Sequence, residues 1–294
     1  HGGLRYLREG AFGLTRESVR ERGRLLQDAP GLVEPQRFLL GHYAGGSPSR
    51  RTLAAGLAIY DAMAGRRTRA FHTPAQVREL APHVATDGLL GASRYLDART
   101  DDARLVLRVL QEAQRHGARV VNRAAVKSLL RAGDGDAPLS AQGGAGVRPG
   151  TVVGARIEGA GFSGHVRARC VVNATGFWAD GLRRGLGEPL LRPLRGSHLV
   201  FPLWRLPVAQ SVSLLHPRDG RPVFATPWEG VALVGTTDLD HDGDPDVEPS
   251  ITAAETGYLL EALRHAFPRL QLGAADAICS FAGVRPVVDE RAGG

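Results

Sequence analysis

Apolar side chains in the first part of the chain recur at helical spacing. Residues 4–14 carry an apolar position every three or four residues, and two leucines follow near residue 25, which predicts one long helix over 4–29 that ends at Pro30 and Gly31. The apolar positions of this predicted helix are Leu4, Leu7, Ala11, Leu14, Leu25 and Leu26. A glycine- and serine-containing loop at 45–51 is followed by a second predicted helix at 52–65.

The middle of the chain is less regular. Residues 66–100 show no sustained period and are predicted to be irregular, apart from a short helix at 74–80. A strong helix is predicted to begin at Asp101, because carboxylates accept hydrogen bonds from the free N–H groups of a helix N-terminus. Its predicted buried positions are Val106, Val109, Leu110 and Ala113. Gly117 ends this helix, and a strand is predicted at 119–122.

The second half of the chain has the short apolar runs and turn residues of strands. Strands are predicted at 152–157 and 166–174, after a flexible surface loop at 131–150. Further strands are predicted at 197–201, 211–215, 222–226 and 231–235, with hairpin-like turns at 218–220 and 229–230. Strands joined by such short turns form antiparallel sheet, and a helix is predicted at 252–267. The predicted fold class is therefore α/β, with two interleaved domains.

Composition places the chain among ordinary globular proteins. Its 294 residues are 43% apolar and 23% charged, enough for one large domain or two smaller ones with their own cores. No apolar run approaches the ~18 residues that a membrane-spanning helix needs. No basic-then-apolar leader precedes His1 and no Met begins the chain, so we expect the true N-terminus to lie upstream.

Charge and cysteine content narrow the class of partner. The net charge is +7, which is compatible with a nucleic acid, an anionic membrane surface or an anionic substrate. The arginines are scattered and Lys127 is the only lysine, which favours dispersed surface charge, and we expect no nucleic-acid partner.

Cys170 and Cys279 are too few for a disulfide framework, which indicates a reducing, cytoplasmic setting, and Cys170 is expected to be buried.

Residues 171–176 carry the first candidate for binding chemistry. An apolar strand runs into a turn of small residues, where Gly176 allows the backbone to approach a ligand closely. A helix predicted after Ala179 would direct its N-terminus at an anion. The alternative interpretation is a tight strand-to-helix turn without a ligand.

The N-terminal segment places an arginine two residues after a pair of glycines. His1, Gly2 and Gly3 leave room for a flat ring to lie against the backbone, and Arg5 can form two hydrogen bonds with a phosphate. The alternative for Arg5 is a surface position on an amphipathic helix.

In residues 283–286, Pro286 restricts Arg285 to extended backbone, so that its guanidinium projects from a rigid segment. The alternative for Arg285 is an ion pair at a strand end, with Asp289 or Glu290.

His198 lies in a predicted strand, where a lone histidine is usually a hydrogen-bonded core residue.

Together these segments resemble the bacterial FAD-dependent (respiratory) glycerol-3-phosphate dehydrogenases, which belong to the wider D-amino-acid-oxidase-like flavoproteins. The matching motifs occur in the expected order along nearly the whole chain. They lie at residues 1–7, 101–106, 173–176, 196–198, 235–238, 243–245 and 283–286.

The resemblance implies a fold, a cofactor and a reaction. It implies an incomplete Rossmann-like FAD-binding domain at 1–45 and 101–189, interleaved with an antiparallel-sheet substrate-binding domain at 46–100 and 190–294. The implied cofactor is FAD, and the implied reaction oxidises sn-glycerol 3-phosphate to dihydroxyacetone phosphate. Electrons would pass to a quinone at the inner face of the plasma membrane, where the full protein would be peripheral. No metal site is expected.

The resemblance also assigns roles to residues. Arg5, Tyr6 and Arg285 would bind the substrate, and Arg285 would also be catalytic. His198 is the candidate base, a role that a lysine expected beyond Gly294 could share or own. The predicted cofactor contacts are His1, Gly2 and Gly3 against the ring system, and Ala174, Thr175 and Gly176 near the diphosphate or adenosine.

The chain departs from the family pattern in three places. The opening Gly-x-Gly-x-x-Gly turn is absent, the segment expected downstream would begin after Gly294, and Phe177 stands where the family usually has proline. We therefore expect an internal fragment that by itself binds FAD weakly or not at all and is inactive. The rival functions are a flavoenzyme of the same fold acting on an amino acid or 2-hydroxy acid, and, more remotely, a basic nucleic-acid-binding protein.

Overall fold

The structure, a computed structural model, describes residues 3–133, 148, 150–183 and 189–289. The chain divides into two compact units. The larger, called the sheet unit below, comprises His1–Val109, Arg195–Leu239 and Pro249–Gly283. The smaller, called the second unit, comprises Leu110–Leu194, Asp240–Glu248 and Val284–Gly294. The domain boundaries given above remain a prediction.

Helices are distributed along the whole described chain. They are α1 (Leu4–Arg8), α2 (Phe12–Asp28), α3 (Arg50–Met63), α4 (Pro74–Leu80), α5 (Asp102–Arg115), α6 (Ala179–Leu182) and α7 (Ala253–Ala266). A capping box begins α7, because the Thr252 hydroxyl accepts from the Glu255 backbone N–H and the Glu255 carboxylate accepts from that of Thr252. Among the described helices, none is both long and apolar enough to cross a bilayer.

Strands form one large sheet and one small sheet. They are β1 (Val33–Tyr43), β2 (Ala70–His72), β3 (Leu89–Thr100), β4 (Ala124–Arg131), β5 (Val152–Gly159), β6 (Phe162–Arg167), β7 (Leu191–Pro202), β8 (Ser211–Leu215), β9 (Pro222–Trp228), β10 (Val231–Gly235), β11 (Leu239–Asp240) and β12 (Cys279–Val288). The large sheet has the order β11-β7-β10-β9-β8-β1-β3-β2, and β12 also pairs with β7. Strands β1 and β8 are parallel, whereas the β1–β3, β2–β3, β8–β9, β9–β10 and β10–β7 pairs are antiparallel.

One face of the large sheet, called the back face below, carries the main core of the sheet unit. Leu39, Val212 and Val234 project from this face and belong to one buried cluster with Leu259 and Leu263 of α7. Burying a side chain of this size contributes about 1.5–3 kcal/mol, so α7 covers the back face firmly. The opposite face, called the front face below, is therefore the side on which function can be sought.

The second unit is built on a small antiparallel sheet of order β4-β5-β6. Near it, the Asp180 carboxylate of α6 accepts hydrogen bonds from the backbone N–H groups of Leu190 and Leu191, at 3.0 and 2.9 Å. These bonds fix the chain that leads into β7.

Most of the regular elements predicted from the sequence are confirmed. They include the helices predicted at 52–65, 74–80, from Asp101 and at 252–267, and the strands at 152–157, 197–201, 211–215, 222–226 and 231–235, within one to three residues at most ends. The hairpin turns at 218–220 and 229–230 are confirmed as well.

Two predictions in the first third of the chain are wrong. The helix at 4–29 is two helices, because Gly10 adopts φ +79°, a left-handed conformation that interrupts α-helix. Residues 66–100 are not irregular, since β2 and β3 lie there. Ala92 and Ser93 are neighbours on β3 and both are buried, so the strand shows no polar–apolar alternation to detect.

Predictions around the second unit also need correction. Helix α5 forms, but its apolar stripe is exposed, with Val106 at 57% and Val109 at 59%. Residues 119–122 are not a strand; β4 begins at Ala124. The loop predicted at 131–150 lies largely outside the described residues.

The strand predicted at 166–174 ends at Arg167. In the described part of the chain no strand pairs with residues 171–174, and an apolar run without a ladder partner does not form sheet. Cys170 is exposed rather than buried, because it lies in this unpaired segment.

Candidate functional site

A row of paired residues crosses the front face of the large sheet. Strand registers place one residue of each of six adjacent strands opposite the next, and paired residues project from the same face. The row consists of His198 on β7, Gly235 on β10, Phe224 on β9, Ser213 on β8, Leu40 on β1 and Ser93 on β3. His198 therefore lies on the face opposite to the core under α7.

An aromatic cluster occupies the β1–β3 end of the front face. The rings of Phe38 and Tyr95 stack with centroids 5.3 Å apart, and Phe224 meets Phe38 edge-on at 5.6 Å. Leu4 of α1 packs against the cluster that Phe38 and Tyr95 form with Leu57. Helix α1, which follows Gly3, is thus anchored on the same face as His198.

Phe281 and Gly235 lie close to the His198 ring within the sheet unit. Its ring stacks on that of Phe281 with centroids 4.8 Å apart and an interplanar angle of 10°. A Cβ atom on Gly235, its partner across the strands, would lie 2.1 Å from Cδ2 and 2.6 Å from Nε2 of the imidazole. The imidazole therefore lies over the backbone of β10, in space that only glycine leaves free.

A buried carboxylate supports this region from the back face. Glu255 is 1% exposed, and its Oε1 accepts hydrogen bonds from the hydroxyls of Ser197 and Thr237, each at 2.8 Å. Arg195 lies 3.0 Å from Oε2. Burial would raise the pKa of Glu255, but hydrogen bonds from Thr252, Thr237 and Ser197 outweigh it and lower the pKa to about 2. Glu255 is therefore a fixed anion at neutral pH.

The N-terminal candidates are described only in part. His1 and Gly2, and the side chain of Arg5, lie outside the described residues. Gly3 is buried with φ +79°, and a Cβ there would meet Tyr6 Cδ2 at 3.0 Å and Ser18 Cβ at 3.2 Å. Packing against the chain itself therefore already requires glycine at this position. Tyr6 is 37% exposed on α1.

The turn at 173–176 belongs to the second unit. The Asn173 side chain accepts a hydrogen bond from the Thr175 hydroxyl at 2.8 Å and donates one to the Ala179 carbonyl at 2.9 Å. Gly176 has φ +63° with no atom within 4 Å of a Cβ position, and Ala174 is exposed. A left-handed glycine in a braced, open turn is a place where a ligand can approach the backbone.

Arg285 lies on β12 and is half-buried, in the second unit. Its position within a strand agrees with the extended backbone expected before Pro286. The sheet unit thus holds Gly3, Tyr6 and His198, and the second unit holds Arg285 and residues 174–176.

Sequence reasoning missed three contributors to the site. Gly235 belongs to the motif at 235–238, but only the pairing of β7 with β10 places it against His198. Glu255 is signalled by the Thr252-x-x-Glu255 capping box, whereas its bonds to Ser197 and Thr237 are long-range. Phe281 carries no local signal.

Comparison with known proteins gives consistent relatives. The chain matches the family model described as FAD dependent oxidoreductase over residues 1–293. It is 34% identical over 296 residues to the aerobic glycerol-3-phosphate dehydrogenase of Staphylococcus saprophyticus, covering 99% of this chain and 51% of that protein. Identity to the aerobic glycerol-3-phosphate dehydrogenase of Bacillus subtilis is 35% over 298 residues, covering 99% and 50%. The chain spans about half the length of these curated relatives.

A solved structure resembles the chain as well. The glycerol-3-phosphate dehydrogenase from Bacillus halodurans, complexed with FAD, matches with a TM-score of 0.74 and 30% identity. The match covers 92% of this chain and 47% of that one. Sequence and fold therefore agree on the same group of relatives.

Proposed function

Because the chain belongs to the family of FAD-dependent oxidoreductases, we propose that its protein oxidises sn-glycerol 3-phosphate to dihydroxyacetone phosphate. The observation that carries the proposal is the similarity of nearly the whole chain to glycerol-3-phosphate dehydrogenases, at 34%, 35% and 30% identity. Bound FAD would accept the hydride from C2 of the substrate, which is chemistry that the cofactor supplies.

The turn at 174–176 fits a role in holding FAD. Its backbone is open to solvent, and Gly176 leaves free the space that a Cβ would fill. Backbone N–H groups in such a turn are suitable donors to a diphosphate. His1, Gly2 and Gly3 remain proposed contacts of the ring system, although Tyr6 and Ser18 occupy the space nearest to Gly3.

Arginines would bind the phosphate of the substrate. We assign Arg5 and Arg285 to this role because a guanidinium donates two parallel hydrogen bonds to a phosphate or a developing alkoxide. Tyr6, with a partly exposed side chain on the same helix as Arg5, would donate a further hydrogen bond nearby.

His198 is the proposed base for the C2 hydroxyl. Oxidation of the alcohol removes a hydride from C2 and a proton from its oxygen, and a neutral imidazole nitrogen can accept that proton. The position of His198 on the front face, away from the core under α7, supports this assignment.

The electron acceptor and location follow the same resemblance. We propose that electrons pass to a quinone, and that the complete protein works in the cytoplasm at the inner face of the plasma membrane. The acceptor would then be a lipid-soluble molecule, and the substrate a water-soluble one.

A substrate panel tests the function. The complete protein would be assayed with an artificial electron acceptor and glycerol 3-phosphate, glycerol, glycine, a D-amino acid or a 2-hydroxy acid. We expect reduction of the acceptor with glycerol 3-phosphate and little with glycerol, because glycerol lacks the phosphate that the arginines bind. Equal rates with both would contradict phosphate binding, and a preference for an amino or hydroxy acid would support the rival flavoenzyme.

A further inference from the structure

The imidazole of His198 is held by residues to which no chemistry has been assigned. Phe281 stacks on its ring at 4.8 Å and 10°, and the backbone of Gly235 lies beneath its Nε2–Cδ2 edge. The two contacts come from different strands, β12 and β10, on either side of β7 in the pairing of the sheet. A free histidine side chain rotates about two bonds, whereas these contacts restrict both.

Each contact depends on a specific kind of residue. At Gly235 any Cβ would lie 2.1 Å from Cδ2 of His198, far inside van der Waals contact, so alanine would force the ring to another position. At position 281, stacking needs a flat ring, and an aliphatic side chain would not fix the plane of the imidazole. Phe281 is 49% exposed, so burial in a core does not account for its place on the imidazole.

We propose that Gly235 and Phe281 are positioning residues that hold the His198 imidazole in one orientation for proton transfer. The inference rests on the function proposed above, in which His198 accepts the proton of the C2 hydroxyl. Gly235 leaves room for the Nε2–Cδ2 edge of the imidazole over the backbone of β10. Stacking on Phe281 keeps the imidazole ring nearly parallel to the ring of Phe281. Proton transfer requires the accepting nitrogen within hydrogen-bond reach, so restricting the ring lowers the cost of reaching that geometry.

Steady-state kinetics provide the first test. Gly235→Ala and Phe281→Leu are expected to lower kcat by roughly 10- to 100-fold with a small change in KM, because a misplaced base affects the chemical step. Phe281→Tyr keeps the ring and should retain most of the activity. The matched controls are Gly164→Ala and Phe162→Leu on β6, since Gly164 has open space around it and Phe162 is similarly exposed at 44%.

A double-mutant cycle separates positioning from general structure. If Phe281 acts through His198, Phe281→Leu should cause little further loss of kcat in a His198→Ala background. Full multiplication of the two losses would overturn the proposal, as would full activity of both Gly235→Ala and Phe281→Leu. Melting temperatures of all variants would identify any that lose activity by unfolding. If Phe281→Leu unfolds, Phe281→Tyr provides the test: retained activity supports the role of the ring, and a loss as large as that in Phe281→Leu contradicts it.

A readout without turnover separates this inference from the proposed function. In NMR spectra of the FAD-loaded protein, the His198 ring protons should move downfield in Phe281→Leu as the ring current of Phe281 is lost. An unchanged His198 signal would overturn the contact itself. If the wild-type protein fails to oxidise glycerol 3-phosphate, the proposed function is wrong. The positioning role is then tested by repeating the double-mutant cycle with whichever substrate of the panel the protein does oxidise.

Discussion

Ser197 donates its hydroxyl hydrogen bond to Glu255 at 2.8 Å, from the face of β7 opposite to His198. Successive residues of a strand project to opposite faces, so the bond on the back fixes the backbone from which His198 projects on the front. Thr237 makes a second 2.8 Å bond to the same oxygen and accepts one from the Ser197 backbone N–H. The buried carboxylate thus couples the N-terminus of α7 to the strand that carries the candidate base.

Removal of this carboxylate should destabilise the protein. Glu255→Ala leaves Arg195 and two hydroxyls without their shared acceptor, and loss of one partner of a buried ion pair costs about 3 kcal/mol. The free energy of unfolding, measured by urea titration, would show the loss. The matched control is Glu112→Ala, because Glu112 pairs with Arg115 at an exposed site where an ion pair contributes less than about 1 kcal/mol.

The charge of Glu255 also predicts a pH dependence. Its pKa is lowered from 4.5 to about 2, so its contribution to stability is complete above the higher value and is lost as pH falls through that window. Glu255→Gln removes the titrating group while keeping a capping side chain. The difference in unfolding free energy between wild type and Glu255→Gln should therefore shrink from about pH 6 toward about pH 2. A difference that stays constant over this range would contradict an ionised Glu255.

A second buried ion pair, between Arg22 and Asp97, should also contribute to stability. Arg22 donates to the Tyr60 hydroxyl at 2.6 Å and to the Leu96 carbonyl at 3.1 Å, and lies 3.4 Å from Asp97. Asp97→Ala leaves a buried guanidinium without its counter-charge and should cost about 3 kcal/mol in unfolding free energy. The double variant Arg22→Met with Asp97→Leu should recover part of this loss. A double variant less stable than Asp97→Ala would show that the polar bonds of Arg22 matter more than its charge.

The difference between predicted and unpredicted strands has a physical cause. Strands β8, β9 and β10 pair with neighbours in sequence, and Gly220 and Gly230 at their turns adopt positive φ, so local residues specify both strand and turn. Strands β1 and β3 pair across two intervening helices and a strand, and each has buried residues on both faces. Neither feature leaves a short-range pattern in the sequence.

The same distinction applies to the candidate site. His198 and Arg285 were found through motifs, and the glycines through the backbone freedom they give. Phe281 is 83 residues away from His198 along the chain, and only the pairing of β12 with β7 brings the two rings together. A residue that acts through packing on a distant strand has no signature of its own in a single sequence.

Arg285 should be essential for turnover without being needed for FAD. Arg285→Lys keeps the positive charge but loses the planar pair of donors, so we expect kcat/KM for glycerol 3-phosphate to fall about 100-fold or more. Bound flavin, measured by absorbance after gel filtration, should change little. Arg115→Lys, at an exposed position on α5, is the control for general effects of the exchange. Full activity of Arg285→Lys would make Arg285 peripheral, and loss of the folded protein would make it structural.

Gly176 should matter for retention of FAD rather than for the fold of the second unit. Alanine at φ +63° is strained by roughly 1–2 kcal/mol and places a methyl group in the open space beside the turn. Gly161, in the β5–β6 turn, has φ +82° and equally open surroundings, so Gly161→Ala introduces the same strain where no cofactor contact is proposed. Titration of the apoprotein with FAD, followed by flavin fluorescence, should show a Kd raised about tenfold by Gly176→Ala, which corresponds to about 1.4 kcal/mol. Gly161→Ala should leave that Kd unchanged while lowering the melting temperature to a similar extent. Equal effects of the two variants on FAD binding would mean that backbone strain alone is responsible, and the turn at 174–176 would then lose its assignment as a cofactor contact.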